Sequence, residues 1–249
     1  MYRTSSRFLA CALLSLGCSL VGKTAAADLT ALSAHFNLQK PDGAGPFPVV
    51  MMLPGCSGFK AGAASYDSVQ NRLKDAGFLV LRVDYFTARN KERCDGGAVT
   101  TRQGAEDVRT VAAYLKSQSF VKQGSINVLG WSFGGGVALD ALADDVQAGV
   151  DAVVTYYPLC RDLKSWKMRV PALVLFGEAD NVVSLDWCKR IFATLSDPNV
   201  ARLRTFADSY HGFDMSHLPA KTEYRFGTLG YNEAAAKSAW RELEQFLRR

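Results

Sequence analysis

Gly130-Trp131-Ser132-Phe133-Gly134 matches the pattern Gly-x-Ser-x-Gly, and its surroundings decide the fold of this 249-residue chain. The preceding residues 125–129 are a short, mostly apolar strand candidate, and residues 137–142 are predicted to form a helix. A strand that turns sharply into a helix holds a serine out at the helix N-terminus, where the helix dipole favours a developing negative charge. The glycines permit the sharp turn because they have no Cβ. We therefore predict that Ser132 is a nucleophile.

Two later strand ends supply an acid and a base for this serine. Residues 171–177 form a buried-type strand that runs into Glu178-Ala179-Asp180, and residues 201–206 form a further strand before the loop that contains His211. The chain order serine, aspartate, histidine is that of the α/β-hydrolases and differs from the orders of other serine triads. Open α/β sheets place their sites at such strand ends. The prediction is a catalytic triad of Ser132, Asp180 and His211.

Other acids and histidines compete for these roles. Asp208 lies only three residues before the histidine and Asp151 lies inside a predicted strand, so Asp180 is the preferred acid. His35 precedes the core strands and His217 falls beyond the strand-end loop, so both are interpreted as surface residues. A turn that carries an idle serine is the remaining alternative.

An attacked carbonyl becomes an oxyanion that needs at least two hydrogen-bond donors. The backbone N–H of Phe133, directly after the nucleophile, is the first predicted donor. The second is expected from the loop 53–58, which follows the first long strand. We assign it to the N–H of Cys56, because Pro54 has no N–H to donate.

The rest of the chain predicts one α/β domain. With 48% hydrophobic and 21% charged residues and no internal repeat, it can bury one sizeable core. Near-continuously apolar strands alternate with helices, which indicates a mostly parallel, twisted sheet with helices on both faces. The predicted class is therefore an α/β-hydrolase fold. The further strands are predicted at 48–53, 78–84 and 149–157, and the further helices at 66–76, 101–118, 185–195 and 233–247.

The first 27 residues have the pattern of a secretory signal peptide. Arg3 and Arg7 precede an apolar run over 8–21, and three alanines precede Asp28. The run is shorter than the roughly 20 residues of a membrane span. Its removal takes away three cations and no acid, which lowers the net charge from +5 to +2. We predict a signal peptide over 1–27, a mature domain over 28–249 without nucleic-acid partners or a membrane span, and a secreted or periplasmic location.

A phosphate-binding pattern lies inside the same segment. Residues 17–24 read Gly-Cys-Ser-Leu-Val-Gly-Lys-Thr, which matches the P-loop pattern Gly-x-x-x-x-Gly-Lys-Thr. A nucleotide-binding enzyme is therefore an alternative class. We disfavour it because the predicted cleavage site follows directly and would remove the motif.

Four cysteines remain in the mature chain, and an even number in an exported chain suggests two disulfides. We favour the pairs Cys56–Cys94 and Cys160–Cys188, because the members of each pair lie in loops after neighbouring strands. A zinc site is the alternative, but no Cys-x-x-Cys or close Cys/His spacing supports it. We therefore predict neither a metal nor another cofactor.

From about Pro48 to the C-terminus, the chain resembles the dienelactone hydrolase family, and within it the exported members. The resemblance implies an eight-stranded or shortened α/β-hydrolase sheet, no cofactor, and the triad and oxyanion donors named above. It rests on the loop Pro54-Gly55-Cys56-Ser57-Gly58, the stretch 83–87, the Gly-Trp-Ser-x-Gly-Gly elbow, Tyr157-Pro158, Gly-Glu-Ala-Asp at 177–180 and Tyr-His-Gly-Phe-Asp at 210–214.

Three positions depart from that family. The dienelactone hydrolases proper use a cysteine nucleophile where this chain has Ser132. Gly55 stands in place of a glutamate that pairs with that cysteine, and Met215 in place of an arginine that holds the substrate carboxylate. The chain is therefore expected to act on an ester other than dienelactone.

Several residues near strand ends are candidate substrate contacts. The aromatic ones form an apolar acyl or alcohol pocket or belong to the ordinary core, and the segment 214–231 lines the entrance. Arg89 is either a cationic contact or a solvent-facing loop charge. The aromatic candidates are Tyr85, Phe86, Phe133, Tyr157, Trp166 and Phe213.

These features together predict a serine hydrolase that cleaves a carboxylic ester or lactone through an acyl-serine intermediate. Its partner is a small-molecule ester or lactone. A peptidase or another acyl hydrolase on the same scaffold is an alternative, since this fold hosts many acyl transfers. A catalytically silent binding protein is the alternative from a different class.

Overall fold

A seven-stranded sheet forms the centre of the computed structural model. The structure describes residues 27–143, 149–160, 170–195, 197 and 199–248. Residues 1–26 of the predicted signal peptide lie outside these ranges, and so does the P-loop pattern within them. Trp166 lies outside them as well. The strands are β1 (Asn37–Gln39), β2 (Phe47–Leu53), β3 (Leu79–Arg82), β4 (Val121–Trp131), β5 (Ala152–Tyr156), β6 (Ala172–Gly177) and β7 (Ala201–Phe206).

The strand order is β1-β3-β2-β4-β5-β6-β7, and every neighbouring pair is parallel except β1 with β3. Parallel strands are covered on both sides, so their sequences are apolar without alternation. The last five residues of β2 and all six of β6 are accordingly buried. The predicted mostly parallel sheet is confirmed, with one short antiparallel edge strand that the sequence did not reveal.

Six helices accompany the sheet within the described residues. Helix α4 is apolar except at Asp140, because it packs against β4, β5, β2 and α3 at once. Helix α3 begins at a capping box between Thr100 and Gln103. The helices are α1 (Leu29–Ser33), α2 (Ala63–Asp75), α3 (Thr101–Lys116), α4 (Phe133–Ala143), α5 (Leu185–Phe192) and α6 (Glu233–Leu247).

The segment 214–231 is more ordered than a plain connection. It contains a two-stranded antiparallel hairpin of β8 (Thr222–Tyr224) and β9 (Gly227–Leu229). β9 also makes an isolated bridge, between Leu229 and His211. The hairpin therefore lies beside the loop that carries the predicted catalytic base.

Two disulfides join the cysteine pairs that the sequence favoured. Cys56 is bonded to Cys94 and Cys160 to Cys188, with Cα–Cα separations of 4.9 and 5.2 Å. The first bond fixes the loop after β2, where the backbone N–H of Cys94 also donates to the carbonyl of Cys56. No helix in the described ranges is long and apolar enough to cross a membrane.

Candidate active site

The turn between β4 and α4 holds Ser132 in a left-handed conformation, with φ of 50°. Such a backbone costs about 1–3 kcal/mol in a non-glycine residue and persists only where its surroundings enforce it. Here the N–H of Ser132 donates to the carbonyl of Tyr156 at 2.9 Å. Its own carbonyl accepts from Gly136 and Leu159 at 3.0 and 3.1 Å. The serine is thus clamped between the strand β5 and the first turn of α4.

Two glycines make this turn sterically possible. A Cβ on Gly130 would lie 2.3 Å from the carbonyl oxygen of Gly134, and a Cβ on Gly134 would lie 2.5 Å from the carbonyl oxygens of Leu53 and Pro54. All of these obstacles are backbone atoms, which cannot move aside cheaply. The first and last residues of the Gly-x-Ser-x-Gly pattern therefore let α4 approach both β4 and the loop after β2.

The structure brings the three predicted triad residues together. Nε2 of His211 lies 3.0 Å from Oγ of Ser132, and Nδ1 lies 2.7 Å from Oδ2 of Asp180. The Asp180 side chain is fully buried, and its Oδ1 accepts from the N–H groups of Val182 and Val183 at 2.9 Å each. The carboxylate accepts a hydrogen bond from Nδ1–H, which leaves Nε2 as the acceptor that faces the serine. This arrangement can deprotonate Ser132 during nucleophilic attack.

The competing acids and histidines lie elsewhere. The carboxylate of Asp151 accepts from the N–H of Ile126, and Asp208 is exposed. His35 is exposed as expected. His217 is also exposed, but it lines the cavity beside Ser132 and its Nδ1 lies 2.9 Å from Oγ of Ser65.

The two predicted oxyanion donors lie in the loop after β2 and at the first residue of α4. Within the described residues, the N–H groups of Cys56 and Phe133 take part in no backbone hydrogen bond. The N–H of Gly55, by contrast, donates to Oη of Tyr66 at 3.0 Å. A Cβ on Gly55 would lie only 3.7 Å from Cβ of Ser132, so this loop adjoins the nucleophile directly.

Two buried tyrosines hold that loop in place. Tyr85 donates its hydroxyl hydrogen to the carbonyl of Pro54 at 2.7 Å, beside the contact from Tyr66 to Gly55. Burial raises the pKa of both tyrosines well above the ordinary value, so both hydroxyls stay protonated. The backbone of the loop is therefore fixed by side chains that come from α2 and from the end of β3.

Asp214 is a second, partly buried acid at the site, and sequence reasoning missed its role. Its carboxylate accepts from Nε1 of Trp131 at 2.7 Å and from Oη of Tyr157 at 2.5 Å. The Tyr157 ring packs on His211 with 4.4 Å between ring centroids. Asp214 does belong to the quoted Tyr-His-Gly-Phe-Asp motif. Its partners, however, lie 83 and 57 residues earlier in the chain, and only the fold brings them together.

Burial raises the pKa of the Asp214 carboxyl above its ordinary value. The hydrogen bonds from Tyr157 and Trp131 act in the opposite direction, as does the nearby His211. The acid thus connects the residue before the nucleophile to the ring beside the catalytic base candidate.

Most of the predicted aromatic pocket is core. Tyr85, Phe86 and Phe213 are completely buried and pack on other rings, and Phe133 is 8% exposed. Of these aromatic residues, Tyr157 is the one that lines the cavity around Ser132. The expectation of substrate contacts is corrected for the others: they are buried against other rings and do not line this cavity.

Arg89 is also removed from the set of substrate contacts. Its guanidinium forms a bidentate ion pair with the fully buried carboxylate of Asp107, and it donates to the carbonyl of Tyr85 at 3.0 Å. Burial raises the pKa of Asp107, and the hydrogen bond from Arg89 opposes that shift. Arg89 is therefore neither a substrate contact nor a solvent-facing charge, because its guanidinium compensates the buried acid Asp107.

A cavity of about 800 Å³ opens beside Ser132 and His211. Its walls are mostly apolar, with Arg93 and His217 as the basic side chains among the described residues. No cluster of three or more metal-ligating side chains is present in the described part of the chain. The apolar contribution comes largely from the segment before α6 and from the loop after Asp180, through Val182, Met215, Leu218, Pro219, Tyr224, Phe226 and Leu229.

The sequence model of the dienelactone hydrolase family matches residues 36–249. A putative dienelactone hydrolase from Klebsiella pneumoniae is similar in structure, with a TM-score of 0.68, 17% identity and coverage of 86% of this chain and 92% of that chain.

Two further structures share this architecture. A dienelactone hydrolase-like promiscuous phosphotriesterase from metagenomic libraries has a TM-score of 0.65 at 18% identity, covering 86% of this chain and 98% of that one. A propionate-bound thermophilic esterase from Thermogutta terrifontis has a TM-score of 0.62 at 15% identity, covering 85% and 88%. At these identities the similarity establishes the fold.

Proposed function

The chain belongs to the dienelactone hydrolase family, whose members hydrolyse ester bonds, and we propose that it cleaves a carboxylic ester or lactone through an acyl-Ser132 intermediate. The observation that carries this proposal is the continuous hydrogen-bonded path from Asp180 through His211 to Ser132. The buried carboxylate, the imidazole and the strained serine have the geometry that serine acyl transfer requires.

The first half of the reaction forms the acyl-enzyme. Nε2 of His211 accepts the hydroxyl proton as Oγ of Ser132 attacks the carbonyl carbon. The carbonyl π electrons move to oxygen, and the N–H groups of Cys56 and Phe133 stabilise that oxyanion, each by about 3 kcal/mol. The buried Asp180 stabilises the imidazolium. When the oxyanion collapses, the ester C–O bond breaks and the imidazolium protonates the departing alcohol.

The second half returns the enzyme to its starting state. His211 accepts a proton from water as that water attacks the acyl carbon. The new tetrahedral oxyanion collapses, the bond to Oγ breaks, and Oγ of Ser132 recovers the proton from the imidazolium. The products are the acid and a free enzyme, so no cofactor takes part in the balance.

The substrate we propose is a small ester without a carboxylate beside the reacting carbonyl. Met215 lines the cavity at the position where the family resemblance expects an arginine for that carboxylate. An apolar side chain there offers no charge-assisted hydrogen bond. This departure favours a neutral ester over dienelactone.

Hydrolysis of p-nitrophenyl butyrate by the wild type and by Ser132→Ala tests the nucleophile. We expect kcat to fall by about six orders of magnitude, as triad serine replacements do elsewhere. Labelling by a fluorophosphonate, located by peptide mass spectrometry, should occur on Ser132. Structures of the Thermogutta terrifontis esterase are described as phosphorylated by paraoxon, which supports this choice of probe. Equal rates and no labelling would favour the binding-protein alternative.

We propose that the chain is exported and that its N-terminal segment is removed. Two disulfides support an oxidising compartment. N-terminal sequencing of the exported protein tests the proposal and also locates the cleavage. The backbone N–H of Ala27 donates to the Asp107 carboxylate at 2.8 Å. A terminus at Ala27 would place a charged ammonium there, whereas a terminus at Asp28 would remove the contact.

A further inference from the structure

The tip of the β8–β9 hairpin carries two exposed aromatic rings at the cavity. Tyr224 is 44% exposed and Phe226 is 62% exposed, and both line the cavity that contains Ser132. Their rings stack with 5.3 Å between centroids and 13° between planes. The two side chains therefore present a continuous flat apolar surface near the nucleophile.

The exposed large hydrophobic side chains are concentrated at the tip of this hairpin. Among the described residues, four large hydrophobic side chains are exposed, and two of the four are this stacked pair. Leu38 and Trp187 are the other two, and neither lines the cavity around Ser132. Single exposed apolar residues need no explanation, but a contiguous apolar surface at a binding cavity indicates contact with a ligand.

The hairpin is fastened to both loops of the triad. Asn181, directly after Asp180, accepts from the N–H of Thr228 at 2.7 Å, and its amide lies 3.3 Å from the Thr228 hydroxyl. On the other side, the N–H of Gly230 donates to the carbonyl of His211 at 3.0 Å. These bonds fix the base of the hairpin relative to the catalytic acid and base.

Gly227 brings the tip of the hairpin close to the loop after Asp180. It has φ of 139°, and a Cβ there would lie 2.6 Å from Cγ2 of Val182. A side chain would therefore push the hairpin away from Val182, which lines the same cavity. The exposed rings are thus held at a set position rather than on a freely moving loop.

We propose that Tyr224 and Phe226 form a subsite for an aromatic ring of the ester substrate. The inference rests on the proposed function, because the ring belongs to the ester that Ser132 cleaves. Stacked rings offer a flat face to a further ring, and an aromatic pair contributes about 0.5–1.5 kcal/mol beyond its buried area. The cavity that the pair shares with the nucleophile is also lined by apolar side chains, including Val182, Leu218 and Leu229, which suit such a group.

The kinetic test compares ester pairs that differ in one ring. Methyl 2-naphthoate against methyl butyrate places the ring on the acyl side, and 2-naphthyl acetate against ethyl acetate places it on the alcohol side. Acid release is followed by pH-stat titration for the wild type and for Tyr224→Ala/Phe226→Ala. We expect the ratio of kcat/KM for the naphthyl ester over its small partner to fall about tenfold in one pair. The pair that responds identifies the side.

The matched control is Trp187→Ala. Trp187 has a similar exposure of 41% and contacts Arg190 on α5, outside the cavity around Ser132. It should leave both ratios within about twofold of the wild type, the range of ordinary surface substitutions. Equal losses on all four esters in the hairpin variant would indicate damage to the triad loops and would overturn the subsite.

A binding measurement separates the subsite from the proposed chemistry. Calorimetric titration of Ser132→Ala with methyl 2-naphthoate and with 2-naphthyl acetate needs no turnover. We expect the Kd of one of these esters to rise about tenfold when Tyr224→Ala/Phe226→Ala is added to Ser132→Ala. Unchanged Kd values would overturn the subsite even if the ester chemistry holds. A wild type that binds a naphthyl ester through these rings without hydrolysing any ester would refute the chemistry alone.

A second copy of this chain is the other occupant to test. Size-exclusion chromatography with light scattering of the wild type and the double variant measures it directly. We expect the same molar mass for both proteins. A wild-type dimer that the double variant converts to a monomer would mean that the rings pack on a partner chain, and the substrate subsite would be wrong.

Discussion

The two walls of the Ser132 cavity are built by different means. On the side of the nucleophile, backbone atoms approach so closely that Gly130 and Gly134 have no space for a Cβ, and buried hydrogen bonds fix the surrounding side chains. On the side of the hairpin, Tyr224 and Phe226 are exposed, and the bonds described above hold the hairpin backbone and not these two side chains. Few substitutions can therefore be accommodated in the first wall, whereas many can be accommodated in the second.

This difference separates chemistry from specificity. The proposed triad needs atoms placed within a few tenths of an ångström, which a close-packed elbow on a rigid sheet supplies. Recognition of the rest of the substrate needs a surface that can vary without disturbing that elbow. Substitutions on the nucleophile side should therefore alter catalysis or folding strongly, and those on the hairpin should alter substrate preference.

The largest effect is expected for Asp180→Asn. An asparagine can donate to Nδ1 of His211, which favours the wrong tautomer for a base that faces Ser132. In serine hydrolases with this triad the change lowers kcat by about 10⁴-fold. Steady-state hydrolysis of p-nitrophenyl butyrate measures it, with exposed Asp42→Asn as the control. A loss below tenfold would return the acid assignment to another carboxylate.

Gly130→Ala should destabilise the fold by about 3–5 kcal/mol, the range of severe strain in a packed core. Its Cβ would meet the carbonyl oxygen of Gly134 at 2.3 Å, so strand and helix must separate. Urea unfolding followed by circular dichroism gives the free energy.

Gly77→Ala is the matched control for this substitution. Gly77 also needs a positive φ, of 94°, but a Cβ there meets nothing within 4 Å. It should cost only about 1–2 kcal/mol. Equal losses at the two glycines would mean that the close approach of α4 to β4 contributes little.

Asp214→Asn should lower stability by about 1–3 kcal/mol at pH 4–5, because the asparagine amide has one acceptor oxygen where the carboxyl group uses both of its oxygens for Trp131 and Tyr157. The effect should depend on pH. Burial raises the folded-state pKa of Asp214 above its ordinary 3.8, so the folded state binds the proton more tightly than the unfolded state. That contribution is fully present below the unfolded-state pKa and is lost as pH rises through the folded-state pKa.

Chemical unfolding at several pH values between 4 and 7 measures this dependence. The wild type should lose stability relative to Asp214→Asn as pH rises. Asp42→Asn, at an exposed position, should show no such trend. A difference that stays constant, or that grows with pH, would contradict the assigned direction of the Asp214 shift.

Tyr66→Phe should reduce kcat by about fivefold to tenfold, which corresponds to about 1 kcal/mol. The substitution removes the oxygen that accepts from the N–H of Gly55 and leaves that N–H without its partner. The loop that presents the Cys56 N–H then loses one of its two tyrosine contacts. Tyr114→Phe, on α3, is a control remote from this loop. Unchanged kcat with a raised KM would mean that Tyr66 serves substrate binding instead.

Sequence reasoning reached the nucleophile side because its constraints are local. The Gly-x-Ser-x-Gly pattern, the strand-end acid and the strand-end histidine each depend on a few adjacent residues, and the buried strands are continuous apolar runs. The parallel sheet could therefore be predicted from the sequence, and so could the three residues at its strand ends, Ser132, Asp180 and His211. Helix α4 begins at Phe133 rather than at the predicted Val137, because the glycines between these two residues leave room for a helix against the strand.

Two features that the sequence did not predict depend on contacts between residues distant in the chain. Arg89 could not be recognised as the partner of Asp107, nor Asp214 as that of Trp131 and Tyr157, without the fold. The strands β8 and β9 have three residues each, too short for a periodic pattern to reveal them. The aromatic residues after strands were equally consistent with a pocket and with a core, because both environments favour the same residue types.

The smallest effect is expected for the stability of Phe226→Ala. The side chain is 62% exposed, so its removal should change the free energy of unfolding by less than about 0.5 kcal/mol. Phe213→Ala, at a fully buried ring of the same type, should cost about 3–5 kcal/mol. Urea denaturation of both variants tests the contrast between the packed core near the proposed triad and the exposed hairpin. A large loss for Phe226→Ala would mean that the hairpin tip supports the fold, and its exposed rings would then not be free to vary with substrate preference.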